Sequence, residues 1–266
     1  MNQKSSSCEE SLEKNFNRFV RDNIIKIRMK SKQIYDKLTE PKIIKISIYI
    51  SLLFFLPGLI IGIAIAANFG PFGYSLLYNY ISDLGSKKYT PAPFILDITV
   101  IISAVFILPL ILNLGRLYTS APTDNIDNSK RMHYINHFRR IFGYIGLVSL
   151  IVGVIGLFNV GIFSLDRSPW NLHLIFASLT FVGFAFGSFF TGLAIIMKKK
   201  IIPRTIGFFM VLGPPISGIL FLIGPQPLTR QLLEWVMTFM ALAWYYPLTF
   251  ITLQKTNTLL FFKSGY

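Results

Sequence analysis

Charge is scarce in this chain. Asp, Glu, Lys and Arg make up 14% of its 266 residues, where a soluble globular domain carries about a quarter. So little polar side chain cannot cover a water-facing surface, and the long apolar runs point to a lipid bilayer as their medium. Cysteine is nearly missing too. Cys8 stands alone, which excludes a disulfide within one chain and any Cys-based zinc site. The first forty-odd residues hold no apolar h-region, so no secretory signal peptide is expected and the first apolar span would act as an uncleaved anchor. Gly-rich phosphate loops, nucleophile elbows and cysteine pairs are also lacking, and with them the chemistries those motifs serve.

What is present is apolar. The chain is 53% hydrophobic and 15% aromatic, gathered into six runs at 46–67, 94–114, 141–163, 172–197, 201–223 and 232–253. Each has about twenty residues or slightly more, enough at ~1.5 Å per residue to cross a ~30 Å hydrocarbon core. The sequence therefore predicts an all-α, polytopic membrane protein with a six-helix bundle at 46–254. A basic tail precedes it at 1–45, and a short tail follows at 255–266.

The formal charge of +14 invites a nucleic-acid reading, but the cations are sorted by side and no soluble basic fold remains to bind one. Of 26 Lys and Arg, 22 fall in the first tail, the second and fourth loops and the carboxyl end. That asymmetry predicts both termini on the cytoplasmic side of the membrane. The tail holds eleven Lys/Arg against six Asp/Glu. Leu12, Phe16, Phe19, Val20, Ile24 and Ile27 fall near one helical face, with Lys14, Arg18, Arg21, Lys26 and Arg28 filling much of the rest. A basic helix on the anionic inner leaflet fits that pattern, and so does a solvated, frayed tail.

Pro57, Pro109 and Pro247 are expected to kink their helices, and Pro214-Pro215 to break the fifth. Gly58 with Gly62, Gly183 with Gly187, and Gly143, Gly146, Gly153 and Gly156 on the third span offer small faces for close packing within the bundle.

The polar interest lies on the other side, at 68–93, 164–171, 224–231 and the adjoining helix ends. The first of these loops is rich in rings (Phe69, Phe72, Tyr74, Tyr78, Tyr80, Tyr89) suited to a headgroup zone. A short interfacial helix is predicted from about Tyr74 to Ser82, followed by a turn in which Gly85 takes a positive φ. Ser82, Asp83, Asp97, Asp166, His173, Arg230 and Glu234 are the candidate ligand-binding residues, because ionisable groups at membrane depth usually face a cavity or a partner. Acids at helix starts, Glu234 among them, also serve as caps that complement the dipole.

The run Ile81-Ser82-Asp83-Leu84-Gly85-Ser86 with Pro91 and Phe94 resembles the first signature of the FRAG/DRAM/SFK group. Gly161-Ile162-Phe163-Ser164-Leu165-Asp166 and then His173, ahead of a helix with Phe181 and Gly183, resembles the second. The likeness spans about 46–254 and is closer still to the prokaryotic six-span proteins of domain-of-unknown-function family 998. It departs from the FRAG pattern at Ala92, where an acid follows the proline, and at 163–166, where an Asn-Phe-Gln-like stretch stands. The resemblance implies a shared bundle and a shared outward polar pocket.

Three functions are consistent with these residues. One is binding or sensing of a lipid headgroup or small polar ligand by aromatic rings, a cation and paired acids. Another is lipid hydrolysis at the interface using Asp83, Asp166 and His173, although hydrolytic zinc usually takes three protein ligands and His173 is the lone outward histidine. The third is a small-solute carrier, for which charge near the midplane is wanting. His133 and His137 have a helical zinc spacing, but flanking cations favour headgroup contact, shared with Lys198-Lys199-Lys200. No cofactor is identified.

Overall fold

The computed structural model describes residues 3–119, 130–197 and 202–264. The chain forms two compact units, residues 1–40 and 41–266. The first is one helix, α1 (Gln3–Leu38). The second carries α2 (Pro41–Phe69), α3 (Phe94–Thr119), α4 (Lys130–Ile162), α5 (Leu172–Ile196), α6 (Arg204–Ile223) and α7 (Arg230–Ser264). No strand occurs among the described residues. All six helices of the second unit are long and apolar enough to cross a membrane.

Most helices overrun the apolar stretches predicted for them. α2 starts at Pro41, α4 at Lys130, and α7 continues to Ser264. Hydropathy marks the part of a helix matched to lipid, whereas Lys, Arg and Gln extend a helix into water almost as readily as Leu. Pro214-Pro215 does not break the fifth span: α6 runs through both prolines as one helix, and Ser217 Oγ donates to the Pro214 carbonyl at 2.8 Å. Lys198-Lys199-Lys200 lies outside the described residues.

The six spans pack in chain order, each against the next, and α7 returns to α2 to close a ring. Connections 70–93, 163–171 and 224–229 share one end of the bundle, called here the loop end. Leu53, Ile60, Val148, Leu174 and Leu222 are exposed on the helix exteriors, as a surface solvated by lipid requires. The interior instead holds small hydroxyls whose protons go back to their own helix, such as Thr180 to Phe176 O and Thr191 to Gly187 O. Ser51 and the Tyr245 hydroxyl, 2.6 Å apart, link α2 to α7.

A close seam joins α4 and α5. A side-chain carbon on Gly183 would stand 2.4 Å from the Gly153 nitrogen. Gly146 and Gly187 meet Thr191 and Leu150 almost as closely. These glycines serve packing within the bundle, through backbone contact that any side chain would prevent.

Candidate functional site

The loop at 70–93 folds on its own peptide groups. Asp83 Oδ2 accepts the Tyr80 N–H at 2.9 Å and an Asn79 side-chain N–H at 3.4 Å. The Tyr74 hydroxyl donates to Tyr80 O at 2.7 Å. These bonds wind Ile81–Gly85 into one 3-10 turn. The predicted helix over 74–82 is therefore corrected: 74–80 is turn and irregular chain, because Asp83 captures a backbone donor that a helix would have used. Gly85 is corrected as well. Its φ is not positive; Gly73 and Gly224 hold that conformation. Gly85 is small because Asp97 Oδ1 would lie 3.3 Å from any added carbon, with Leu96 and Ser164 beside it.

Two sets of contacts fasten this loop over the bundle. Toward α7, Thr229 Oγ1 donates to Leu77 O at 2.6 Å, Trp235 Nε1 donates to Asn79 O at 3.1 Å, and Glu234 Oε2 accepts the Ile81 N–H at 2.9 Å. Toward the 163–171 connection, Asp166 Oδ1 accepts from Ser86 Oγ at 2.7 Å and Oδ2 from the Lys87 N–H. Arg167 reaches across to pair with Asp97 and donates through Nε to Ser164 Oγ at 3.0 Å. Burial pushes the Asp83 carboxyl above the usual range, against the Tyr80 N–H, Asn79 and Lys88, which lower it. Burial also raises the Tyr74 phenol, helped by the Asp83 and Glu234 carboxylates, so that Tyr74 stays neutral and remains a donor.

All seven residues singled out from the sequence lie at the loop end. Ser82, His173 and Glu234 line a chamber within the bundle. Asp83, Asp97 and Asp166 instead hold loop backbone or an ion pair, and Arg230 is exposed at the start of α7 beside Gly224. Glu234 is not occupied by capping α7: its partner is the loop, 153 residues earlier. Asn79, Trp235 and Thr229 are the structural residues the sequence reading passed over. Trp235, fully buried directly after Glu234, carried the one usable signal, an indole at the wet end of a span.

The ion pair yields a first expected result. Arg167 is 64% exposed in its side chain and Asp97 8%, so Arg167→Gln strands a buried carboxylate. Thermal melting in detergent should show a loss of about 1–3 kcal/mol. Adding Asp97→Asn should recover most of it. No recovery in the double variant would mean the pair is not what holds the 163–171 connection to α3.

The chamber occupies about 150 Å³ and takes its walls from all six spans. It runs from Ser82, His173 and Glu234 at the loop end to Leu114, Trp244 and Tyr245 deeper in the bundle. Thr180, Ser217 and Thr238 also line it, but each donates its hydroxyl proton to a carbonyl of its own helix and turns carbon toward the space. At the loop end the His173 ring is held by Nδ1, 2.8 Å from the Phe163 carbonyl, and its buried Nε2 has no partner. Asp83, Asp166 and His173 are each engaged separately, and among the described residues no three His, Cys, Asp or Glu gather as a metal set.

A family model described as the Frag1/DRAM/Sfk1/Cwh43P N-terminal domain matches residues 44–251, the entire ring of spans with both clasped loops. This chain belongs to that family. The Frag1 match covers the bundle and stops short of the basic tail, the same division the contacts make. No curated protein and no solved structure matches the chain. This Frag1-family member is thus a multi-pass membrane protein whose polar residues cluster at one end of an apolar chamber.

Proposed function

We propose that this Frag1-family bundle binds a membrane lipid, with hydrocarbon in the chamber and the polar end beneath the clasped loop. The observation that carries the reading is the chamber itself. Its walls are mainly aliphatic and aromatic, and its imidazole and carboxyl groups, His173 and Glu234, stand at the loop end. Such a space suits a long chain with one polar terminus better than a compact polar solute. Each methylene moved out of water contributes about 0.8 kcal/mol, and a polar terminus needs partners such as Ser82, Glu234 and the unpaired His173 Nε2.

The cation asymmetry, 22 of 26 on the tail side, supports an orientation with both termini cytoplasmic and the loop end at the outer leaflet of a prokaryotic plasma membrane. Tyr78, 72% exposed on the loop, tests this. In a Cys8→Ser background, Tyr78→Cys should react with an impermeant thiol reagent applied to intact cells. Reaction only after lysis would reverse the orientation.

Native mass spectrometry of protein extracted in mild detergent tests the binding. Roughly one lipid per chain should survive purification, and collisional activation should release it. Folded protein that is bare of lipid, and takes none up when lipid is returned, would sink the proposal.

A further inference from the structure

The first unit carries an exposed apolar face. On α1, Phe19, Val20, Ile24, Ile27 and Ile34 are all exposed, Phe19 at 68% and Ile27 at 66%. A helix turns about 100° per residue, which places these five within one half of its circumference, around Ile27. Ile25 and Met29 fall off this stripe. The cations occupy the remainder: Arg18, Arg21, Arg28 and Lys32 lie on the far side, while Lys26, Lys30 and Lys37 run along one edge of the apolar half. Between Arg18 and Leu38 there are seven Lys or Arg and two acids, Asp22 and Asp36.

From this arrangement we propose that α1 docks on the surface of an anionic bilayer, apolar half inserted among the headgroups and cations against the phosphates. Charge selects this occupant. A partner helix of ordinary composition would meet the apolar stripe but leave seven cations unmatched, whereas an anionic leaflet answers both faces at once. Chain connection makes docking intramolecular, since α1 ends at Leu38 and the first span begins at Pro41. The helix stays within reach of the leaflet in which that span starts, at high effective concentration. Isoleucine and phenylalanine side chains reach the headgroup–acyl boundary, and each cation near the surface adds to the attraction until salt screens it.

The test uses the full chain, one copy per nanodisc, in a Cys8→Ser background with an environment-sensitive fluorophore on Ile27→Cys or on Lys32→Cys. In discs containing phosphatidylglycerol, the label at Ile27 should be blue-shifted and shielded from aqueous quencher, and that at Lys32 should remain accessible. Pure phosphatidylcholine discs, or the double variant Arg21→Glu/Arg28→Glu, should lower the shielded-to-accessible ratio at Ile27 by about tenfold or more. Raised salt should act in the same direction. Equal accessibility at the two positions overturns the proposal. So does shielding of Ile27 that ignores lipid charge, or shielding seen only in discs that hold two chains, which would make a second copy the occupant.

Discussion

Ala241→Trp is expected to strip the purified protein of its lipid while leaving it folded. Ala241 lies on α7 and contributes its methyl group to the chamber wall, so an indole there projects into space rather than into packed neighbours. Each methylene displaced from the chamber forfeits about 0.8 kcal/mol. Excluding only a pair of them lowers occupancy roughly tenfold, and an indole excludes more. The lipid-free variant should also melt higher than the lipid-free parent, because a void has been filled with apolar contact. Ala177→Trp, from the α5 side of the same wall, should act alike. Native mass spectra showing undiminished lipid on both variants would mean that bound lipid sits elsewhere.

The second large effect is structural. Gly183→Leu should abolish the folded bundle. A carbon added at Gly183 meets the Gly153 nitrogen at 2.4 Å, the Gly153 Cα at 2.6 Å and Ser149 O at 2.9 Å. These are main-chain atoms of a neighbouring helix, so no rotamer change relieves the clash. α4 and α5 would have to separate, taking with them the contacts of Gly146 with Thr191 and of Gly187 with Leu150. A destabilisation beyond about 4 kcal/mol is expected, read as loss of the monodisperse peak in detergent. Gly218→Ala is the matching control. Nothing lies within 4 Å of its added carbon, so the helix should keep its stability or gain up to about 1 kcal/mol. If Gly183→Leu purified and melted like the parent, the α4–α5 seam would not be the close contact described here.

The six spans were legible because the cost of burying charge in hydrocarbon leaves runs that sequence cannot disguise. The seam glycines were legible for a related reason: helices without a hydrophobic drive between them associate through small residues. The loop was not legible. Its 3-10 turn at Ile81–Gly85 depends on Asp83 reaching back to Tyr80 and on Glu234 reaching Ile81 from α7, and the second of these spans 153 residues. Asp97 and Arg167 were each visible as charges, yet their pairing between α3 and the 163–171 connection needed coordinates. The chamber's polar end was marked by Ser82, His173 and Glu234, but its apolar depth left no trace, since its Leu, Phe and Ala walls are the same residues that fill a solid core. The helix ends outran hydropathy because lipid and water both tolerate a helix, and only lipid leaves a mark on composition.

The closing contact of the ring joins the earliest span to the last, and this orders events at the ribosome. When the chain has been made as far as α6, the loop at 70–93 has long been delivered, yet Thr229, Glu234 and Trp235, which hold Leu77, Ile81 and Asn79, are still to come. Until α7 enters the bilayer, the chamber is an open trough facing lipid on one side. Translation of the final span shuts that trough and adds the α7 contacts to the loop, so a product truncated before α7 would lack the closed chamber and hold its loop through Asp166.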